Sequence, residues 1–360
     1  MKIAIGFEIK NDSWGGGNQF AKSLVKEASR RGHEITFKLK DSDIDIILFT
    51  DPRSYIRGIN FGSFEILNYL FFKNRNAIVI HRINECDERK NTNYMNKFLK
   101  WSNYCADFTI FISNWLKQLD VYQKNKESRV ILNGGDPEIF NYYKSESWDG
   151  NCPLKIITHH WSPNFMKGFD VYQEIDKLLN NSEWASKFKF TYIGNLPPGF
   201  CFKNTNHINP ISGKRLGFEL SKHHLYLTAS LNEPAGMHHI EGIMCGLPII
   251  YRESGAIPEY CESFGVSFKE RNFLPALKEI SKNYDFYKKR VSKYPNNSIK
   301  MTNQYLNLFE ELLKKRDFIV KKRNLFQSPT LLLKNYLFIF LKLRNVVRFL
   351  SIKSLKKKFR

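Results

Sequence analysis

Apolar and polar residues follow two alternating periods in the N-terminal half of the chain. Short apolar runs, rich in β-branched and aromatic side chains, are separated by segments with helical spacing. The runs read KIAIGFEI, HEITFKL, DIDIILFT, NAIVIHRI, DFTIFIS and SRVILNGG. Apolar strands that alternate with helices are typical of a parallel sheet covered on both faces. The pattern therefore predicts an α/β domain over residues 1–142.

The same pattern restarts after a polar segment that ends at Pro153. Here the predicted strands read LKIITHHW, FKFTYIGNLP, HHLYLTAS, LPIIYRES and GVSF. A second doubly wound, parallel-sheet domain is predicted over residues 143–316, with a cleft between the two domains. Ligands of such sheets bind beyond the carboxyl ends of the strands.

The last segment, residues 317–360, differs in kind. On a helix of about 100° per residue, the apolar face consists of Ile339, Phe340, Leu343, Val346, Val347 and Leu350. The polar face consists of Lys334, Lys342, Asn345, Arg348 and Lys356, interrupted by Phe338 and Leu341. This pattern predicts a basic amphipathic helix that lies on an anionic membrane surface. A helix that packs on the body of the protein, with a frayed basic end, is the alternative.

Composition narrows the class and the compartment. A chain of 360 residues with 42% hydrophobic and 25% charged residues is globular and suits two domains. Its six cysteines are scattered, so we expect reduced thiols and neither zinc nor disulfides. The opening MKIAIGFEI is too short for a signal peptide, and no run reaches the about 20 apolar residues of a membrane span. We expect a cytoplasmic protein, peripheral on the inner face of the cell membrane.

The positive charge is concentrated at the C-terminus. Residues 318–360 contain twelve Lys and Arg and no Asp or Glu. Removing these twelve charges from the net charge of +21 leaves +9 on the first 317 residues. Because the basic tail is not interleaved with stacking aromatics over a sheet face, no nucleic-acid partner is expected.

The strongest candidate for chemistry is EPAGMHHIEGIMCGLPII, residues 233–250. Pro234 and Gly236 place Glu233 in a loop, a helix begins near Met237, and Gly246 ends it. The first backbone N–H groups of this helix, with its dipole, form an anion site suited to phosphate.

The two glutamates of this segment flank that anion site. Glu241 lies one turn inside the helix, where it can accept hydrogen bonds from vicinal hydroxyls such as those of ribose. Glu233 can reach a group beyond the phosphate. Together they suggest a nucleotide-sugar pocket, although either glutamate alone would be read as the solvated end of a helix.

These residues resemble the glutamate pair of retaining GT-B glycosyltransferases of family 4. EGIMCGLPII follows the second half of the family pattern, and SGAIPEY matches its Gly-Gly-x-x-Glu element at Gly255–Glu259. Weaker similarities extend the resemblance over most of residues 1–315. They are the opening glycine loop, FISNWLKQ, VILNGGDPEIF, FMKGFDVYQ, YIGNLP and SGKRLGFELSKHHLYLTAS.

The resemblance implies a GT-B fold, with two Rossmann-like domains facing across a cleft. The N-terminal domain would hold the acceptor, and the C-terminal domain would hold the donor and return a helix toward the first domain. The implied activity is metal-independent, hexosyltransferase-type transfer from a nucleotide-diphosphate sugar to a saccharide or lipid-linked saccharide, in surface glycan biosynthesis. No cofactor other than the donor is implied.

The resemblance also assigns roles to single residues. Glu241 would hold the ribose, Glu233 would contact the donor sugar near its reacting carbon, and Lys167 in FMKGFD would neutralise the diphosphate. The other candidate donor contacts in this domain are Ser162, Gly236, Met237 and His238.

In the N-terminal domain, Gly15, Gly16 and Gly17 precede a helix. They do not form the G-x-G-x-x-G fingerprint, so a nicotinamide enzyme is disfavoured. They resemble the family loop that faces the donor phosphates and acceptor. His81 is a candidate for contact with the donor sugar. Three residues that follow it are candidate acceptor contacts, with a plain loop as the alternative: Arg82, Asn84 and Asp87.

One departure from the family concerns an arginine that usually lies five or six residues before the lysine. Trp161 and Ser162 occupy those positions here, and His159 or His160 is a weaker substitute. Alternatives to the transferase are therefore a GT-B nucleotide-sugar epimerase or hydrolase, and a membrane- or nucleic-acid-binding protein with a degraded sugar site. The acidic DSDID, residues 41–45, is interpreted as the start of a strand and not as a metal site.

Overall fold

The computed structural model describes residues 1–10, 15–141 and 145–341. Two six-stranded parallel sheets form its centre. The strands of the first sheet are β1 (Lys2–Ile5), β2 (Glu34–Thr36), β3 (Ile46–Phe49), β4 (Ile78–Ile83), β5 (Phe108–Phe111) and β6 (Glu127–Val130). Their order is β2-β1-β3-β4-β5-β6. The first sheet is therefore doubly wound, as the sequence predicts.

The second sheet repeats this plan. Its strands are β7 (Leu154–His160), β8 (Phe188–Gly194), β9 (Asn206–Ile208), β10 (Leu225–Thr228), β11 (Ile249–Arg252) and β12 (Gly265–Phe268), in the order β12-β11-β10-β7-β8-β9. Strand β9 was not predicted, because its sequence NHI lies at the sheet edge and carries no apolar run. From β7, the chain adds strands first on one side of the sheet and then, from β10 on, on the other side. A ligand site is therefore expected at the carboxyl ends of β7 and β10.

Helices cover both faces of each sheet. The first sheet carries α1 (Gly16–Arg30), α2 (Ser63–Phe72), α3 (Met95–Ser102) and α4 (Asn114–Gln118). The second carries α5 (Phe169–Leu178), α6 (Ser182–Lys187), α7 (Gly213–Ser221), α8 (Met237–Met244), α9 (Ile257–Cys261), α10 (Leu274–Lys282) and α11 (Tyr284–Val291). These layers bury β3 and β4 completely, which explains their unbroken apolar sequences.

The chain returns to the first domain after the second sheet. Helix α12 (Ser298–Lys314) contacts α1, and its residues Tyr305 and Phe309 belong to the same buried cluster as β1 and β3. A short helix α13 (Arg316–Lys322) follows. Burial of this apolar face, rather than helix propensity, therefore fastens the C-terminal part of the chain to the first domain.

Direct hydrogen bonds also join the two domains. The carboxylate of Glu259 at α9 accepts hydrogen bonds from the backbone N–H groups of Asn114 (2.8 Å) and Trp115 (2.6 Å), the first residues of α4. The side chain of Asn232 donates to the carbonyl oxygen of Glu88 (3.1 Å). Glu259 thus caps a helix of the opposite domain with a negative charge, which the helix dipole favours.

Residues 329–341 form a further helix on the outer surface of the first domain. Phe338 is buried against Phe98, with ring centroids 5.2 Å apart, and Asn335 donates to the carbonyl oxygen of Trp101 (2.9 Å). This part of the tail packs on the body, and Phe338 belongs to the packed face. The predicted tail residues Lys342, Leu343, Asn345, Val346, Val347, Arg348, Leu350 and Lys356 lie outside the described residues. Within the described ranges, no helix has both the length and the apolar content needed to cross a membrane.

Candidate active site

The cleft between the two sheets contains a cavity of about 220 Å³. It lies at the carboxyl ends of the strands, at the β7–β10 switch point. His81 and Asp87 do not line it, but these ten predicted site residues do: Gly15, Gly16, Gly17, Ser162, Lys167, Glu233, Gly236, Met237, His238 and Glu241. Residues far apart in the sequence are thus brought together by the two domains.

Helix α8 presents its N-terminus to this cavity. Gly236 is the N-cap residue, and no side chain caps the helix. The first N–H groups of the helix are therefore available to a ligand. A Cβ at Gly236 would lie 2.5 Å from the ring of His238, so glycine is needed here for the loop to pass close to the ring. At the other end, Gly246 adopts the left-handed conformation (φ 82°) that ends the helix.

Lys167 and Glu233 form a buried ion pair in the cavity wall. Lys167 ends a 3₁₀ turn at Phe165–Lys167, and Gly168 follows in the left-handed conformation (φ 102°). A Cβ at Gly168 would lie 2.5 Å from that of Ala229, so the turn packs directly on the chain beyond β10. This packing aims the Lys167 ammonium at the loop that carries Glu233.

A second cation, Arg89, approaches the same carboxylate from the first domain. Its Nε lies 3.5 Å from Oε1 of Glu233, and its Nη1 lies 3.2 Å from Oε2 of Glu85. Lys90 also pairs with Glu85 (2.7 Å). Three cations and two carboxylates meet here, which leaves one positive charge in the cluster.

The electrostatic environment keeps the Glu233 carboxylate ionised. Burial would raise the pKa of Glu233, but the charges of Lys167 and Arg89 outweigh it and lower that pKa to about 2. Burial lowers the pKa of Lys167, against the opposing effect of Glu233. A cation beside the helix N-terminus suits a phosphate, and the carboxylate suits sugar hydroxyls.

Glu241 faces the same cavity from one turn inside α8. Its Oε2 lies 2.7 Å from Nε2 of His159, and Nδ1 of His159 lies 3.1 Å from the hydroxyl of Tyr226. His159 is the penultimate residue of β7, so the imidazole is held by the strand and fixes the direction of the carboxylate. Such an oriented carboxylate can accept hydrogen bonds from two neighbouring hydroxyls.

A cluster of histidine rings surrounds the start of α8. The ring centroids of His160 and His238 are 4.5 Å apart, and those of His238 and His239 are 4.9 Å apart. Burial lowers the pKa of His160 and His238 well below their usual value and that of His239 to about 3. These imidazoles are therefore neutral at pH 7, and His238, which lines the cavity, offers a ligand hydrogen bonds without charge.

The first domain supplies the opposite wall. Helix α1 begins at Gly16, where a Cβ would lie 2.6 Å from Cγ of Met237. The N-termini of α1 and α8 therefore touch, and glycine is required for that contact. Arg82 and Asn84 also line the cavity. The structure places both predicted residues in the cavity wall.

The prediction for His81 is wrong in position. His81 is fully buried in β4, stacked on Phe49 with ring centroids 4.2 Å apart, and its Nδ1 lies 3.2 Å from the side-chain nitrogen of Asn103. Burial lowers its pKa to about 3. It does not line the cavity, because its neighbour in the strand, Arg82, points to that side instead.

Asp87 has a structural role. Its carboxylate accepts hydrogen bonds from the backbone N–H groups of Met95 (2.8 Å) and Asn96 (3.0 Å) at the start of α3, and from the hydroxyl of Thr92 (2.5 Å). A carboxylate that caps a helix in this way has little left to offer an acceptor. Arg89, which lines the cavity, was not predicted, because it lies in the charged segment ECDERKN, whose composition is typical of a surface loop.

The acidic segment 41–45 also has structural partners. The ammonium of Lys2 pairs with Asp41 (2.9 Å) and Asp43 (3.1 Å), and Asp45 pairs with Arg316. These carboxylates neutralise basic side chains at the amino end of the sheet, opposite to the cleft.

No family model matches the chain, and a search of curated proteins finds no match. Solved structures match over most of its length. A sucrose-phosphate synthase from Thermosynechococcus elongatus has a TM-score of 0.66 at 14% identity, covering 87% of this chain and 99% of that one. HepE from Anabaena in complex with UDP has a TM-score of 0.64 at 10% identity, covering 86% and 99%. The catalytic domain of starch synthase IV from Arabidopsis thaliana, bound to ADP and acarbose, has a TM-score of 0.63 at 11% identity, covering 87% and 99%. The likeness shows that this chain has the GT-B fold.

Proposed function

We propose that this protein is a retaining glycosyltransferase that moves a sugar from a nucleoside-diphosphate sugar to a saccharide or lipid-linked saccharide. The observation that carries the proposal is the Lys167–Glu233 pair beside the uncapped N-terminus of α8, in a cavity at the β7–β10 switch point. Fold neighbours described as complexes with UDP and with ADP support a nucleotide donor. Retention of configuration and the place in surface glycan synthesis rest on the sequence resemblance.

The proposed chemistry follows from where charge develops. Breaking the bond between the sugar and the diphosphate leaves negative charge on the phosphate oxygens. Lys167 and the N–H groups of α8 are positioned to stabilise that charge, and these groups are already in place before the reaction. Glu233 would then orient the donor sugar, and Glu241, held by His159, would bind the ribose. The fixed cations replace a divalent metal in this scheme.

Binding of the donor nucleotide tests the proposal directly. Thermal shift of the full chain should show that one nucleoside diphosphate and its sugar derivatives raise the melting temperature. A ligand at 100 times its Kd stabilises the native state by about 2.7 kcal/mol. No stabilisation by any nucleoside diphosphate or nucleotide sugar would contradict the proposed function.

Glu241→Gln should weaken binding of the same nucleotide by about tenfold, because a charged acceptor of the ribose hydroxyls is lost. Isothermal titration calorimetry measures this change. Glu219→Gln on α7 is the matched control, since Glu219 pairs with Lys222 outside the cavity. Equal affinities of wild type and Glu241→Gln would remove Glu241 from the ribose site.

We further propose that the tail brings the protein to a membrane surface. In the helix of residues 329–341, Leu333, Leu337 and Phe340 are 63%, 44% and 63% exposed. Their spacing places them on one face, opposite to the buried Phe338 and Asn335. An apolar stripe left in solvent, followed by a strongly basic segment, suits an anionic bilayer, and a lipid-linked acceptor would be found there.

The triple substitution Leu333→Ser, Leu337→Ser, Phe340→Ser should reduce binding to vesicles with anionic lipid by about tenfold or more, because the inserting side chains are lost. Co-sedimentation of the full chain with vesicles measures the effect. Phe286→Ser on α11, equally exposed but in the second domain, should bind as the wild type does. Undiminished binding of the triple variant would place the membrane contact elsewhere.

A further inference from the structure

Arg82 is a buried cation whose guanidinium is only partly satisfied. The residue is 1% exposed, yet it lines the cavity. Its Nε donates to the hydroxyl of Tyr305 (3.0 Å), its Nη2 donates to Oδ1 of Asn133 (2.9 Å), and its central carbon lies 3.9 Å from the ring centroid of Phe20. Its Nη1 has no hydrogen-bond partner among the residues that the structure describes.

Unlike the other cationic side chains of the cavity, Arg82 has no carboxylate partner among the described residues. Lys167 and Arg89 each pair with a glutamate. In residues 1–10, 15–141 and 145–341, no carboxylate lies within ion-pair distance of Arg82. A buried charge is normally paired, so an unpaired guanidinium with a free N–H edge requires an explanation.

The surroundings of Arg82 favour an anionic partner. Phe20, which stacks on the guanidinium, belongs to α1, whose uncapped N-terminus faces the cavity. Asn133, the hydrogen-bond partner of Arg82, also donates to the carbonyl oxygen of Ala235 (3.2 Å), just ahead of α8. Arg82 therefore lies beside two helix N-termini that touch through Gly16 and Met237. Two helix dipoles and a guanidinium converge on one region of the cavity.

We propose that Arg82 binds a phosphate group from the first-domain wall of the cavity, through the free N–H groups of Nη1. It would supply the second phosphate cation that Trp161 and Ser162 cannot supply ahead of Lys167. A guanidinium matches phosphate oxygens in geometry as well as in charge. The phosphate belongs either to the donor diphosphate, in which case the inference rests on the proposed function, or to an acceptor that carries its own phosphate.

The test is calorimetric titration of wild type, Arg82→Met and Arg82→Lys with nucleoside diphosphates, the matching nucleosides, and inorganic phosphate. If the donor supplies the phosphate, Arg82→Met should weaken nucleoside-diphosphate binding by about 10- to 100-fold and leave nucleoside binding unchanged. Arg82→Lys should recover part of the loss, because an ammonium keeps the charge but not the fork of donors. Arg129→Met on β6, an exposed arginine that pairs with Glu311, is the matched control and should bind as the wild type does.

The other outcomes distinguish a donor phosphate from an acceptor phosphate, and they distinguish failure of this inference from failure of the proposed function. If Arg82→Met binds the nucleoside diphosphate normally but loses inorganic phosphate binding to the nucleotide-saturated protein, the phosphate belongs to the acceptor. Wild type that binds phosphate through Arg82 but no nucleotide would contradict the proposed function and support the anion site. Arg82→Met and Arg82→Lys that bind every probe as the wild type does would overturn the inference. So would a wild type that binds none of the probes. The melting temperature without ligand shows whether Arg82→Met folds. If it does not, the phosphate affinity of Arg82→Lys decides whether Arg82 binds phosphate.

Discussion

Lys167→Met should lower the rate of sugar transfer by about 100- to 1000-fold, the size expected when one fixed stabiliser of a developing charge is removed. The physical reason is that Lys167 and the N-terminus of α8 line the same cavity, in which the diphosphate of the proposed donor would accumulate charge. The measurement is kcat with the nucleotide sugar that gives the largest thermal shift. Lys177→Met is the matched control, because Lys177 is exposed and pairs only with Glu174 on α5.

Loss of activity must be distinguished from loss of stability. Removing one partner of a buried ion pair leaves the other charge uncompensated, at a cost of about 3 to 5 kcal/mol. Lys167→Met leaves Glu233 with Arg89 alone, and Glu233→Gln leaves Lys167 without its carboxylate. The double variant Lys167→Met, Glu233→Gln should therefore regain part of the lost melting temperature while its activity stays low. Wild-type kcat in a folded Lys167→Met protein would rule out the proposed role.

Lowering the pH from 7 to 5 should destabilise the fold steeply, because the five buried histidines with the most strongly lowered pKa values must remain neutral. Burial lowers the pKa of His81 and His239 to about 3 and that of His224 to about 4, and it lowers the pKa of His160 and His238 well below the usual value. Between these values and about 6.5, where unfolded histidine titrates, the unfolded chain binds more protons than the native one. The contribution of these histidines to the free energy of unfolding is therefore fully present above about pH 6.5 and is lost as the pH falls toward their native pKa values.

The size of this effect is large on the scale of protein stability. Each such histidine contributes a slope of up to about 1.4 kcal/mol per pH unit, so five contribute up to about 7 kcal/mol per unit, against a total of about 5 to 15 kcal/mol for a typical domain. Urea unfolding between pH 8 and 5 measures the slope. His239→Leu should reduce it by about one histidine's share, because both ring nitrogens of His239 lack partners among the described residues. Equal slopes for wild type and His239→Leu would contradict this account.

Local signals explain what the sequence could predict of the fold. Gly236 and Gly246 bound α8 because a small N-cap and a left-handed C′ residue are requirements of the backbone itself. The buried strands follow from their apolar runs. Helix α1 begins at Gly16, ahead of the periodic segment, although glycine is a poor helix former, and the missing side chain of Gly16 allows the contact with Met237. The contact between Gly16 and Met237 joins the two domains, so it could not be predicted from the sequence around either residue.

In the site, too, features set by neighbouring residues could be predicted from the sequence, whereas contacts between distant residues could not. The loop position of Glu233 is a local feature. The family resemblance assigned Glu233 and Lys167, 66 residues apart, to one donor site but did not predict that they form an ion pair. His81 and Arg82 are adjacent in β4, and successive strand residues point to opposite faces. Because both faces of β4 are buried, no polar face indicates which of the two meets the cavity. The sequence therefore favoured His81, whereas the structure places Arg82 there.

The carboxylate of Glu259, which caps α4 across the cleft, has a consequence for the timing of the proposed reaction. A cavity of about 220 Å³ is smaller than the about 300 to 1,000 Å³ of most ligand pockets. If the proposed nucleotide sugar needs that larger space, the domains must separate to admit it, and separation breaks the hydrogen bonds that Asn114 and Trp115 donate to Glu259. The products of the proposed reaction would need the same opening to leave. In the proposed transferase, the rate at which these two hydrogen bonds break would then set an upper limit on turnover, however fast the chemical step is.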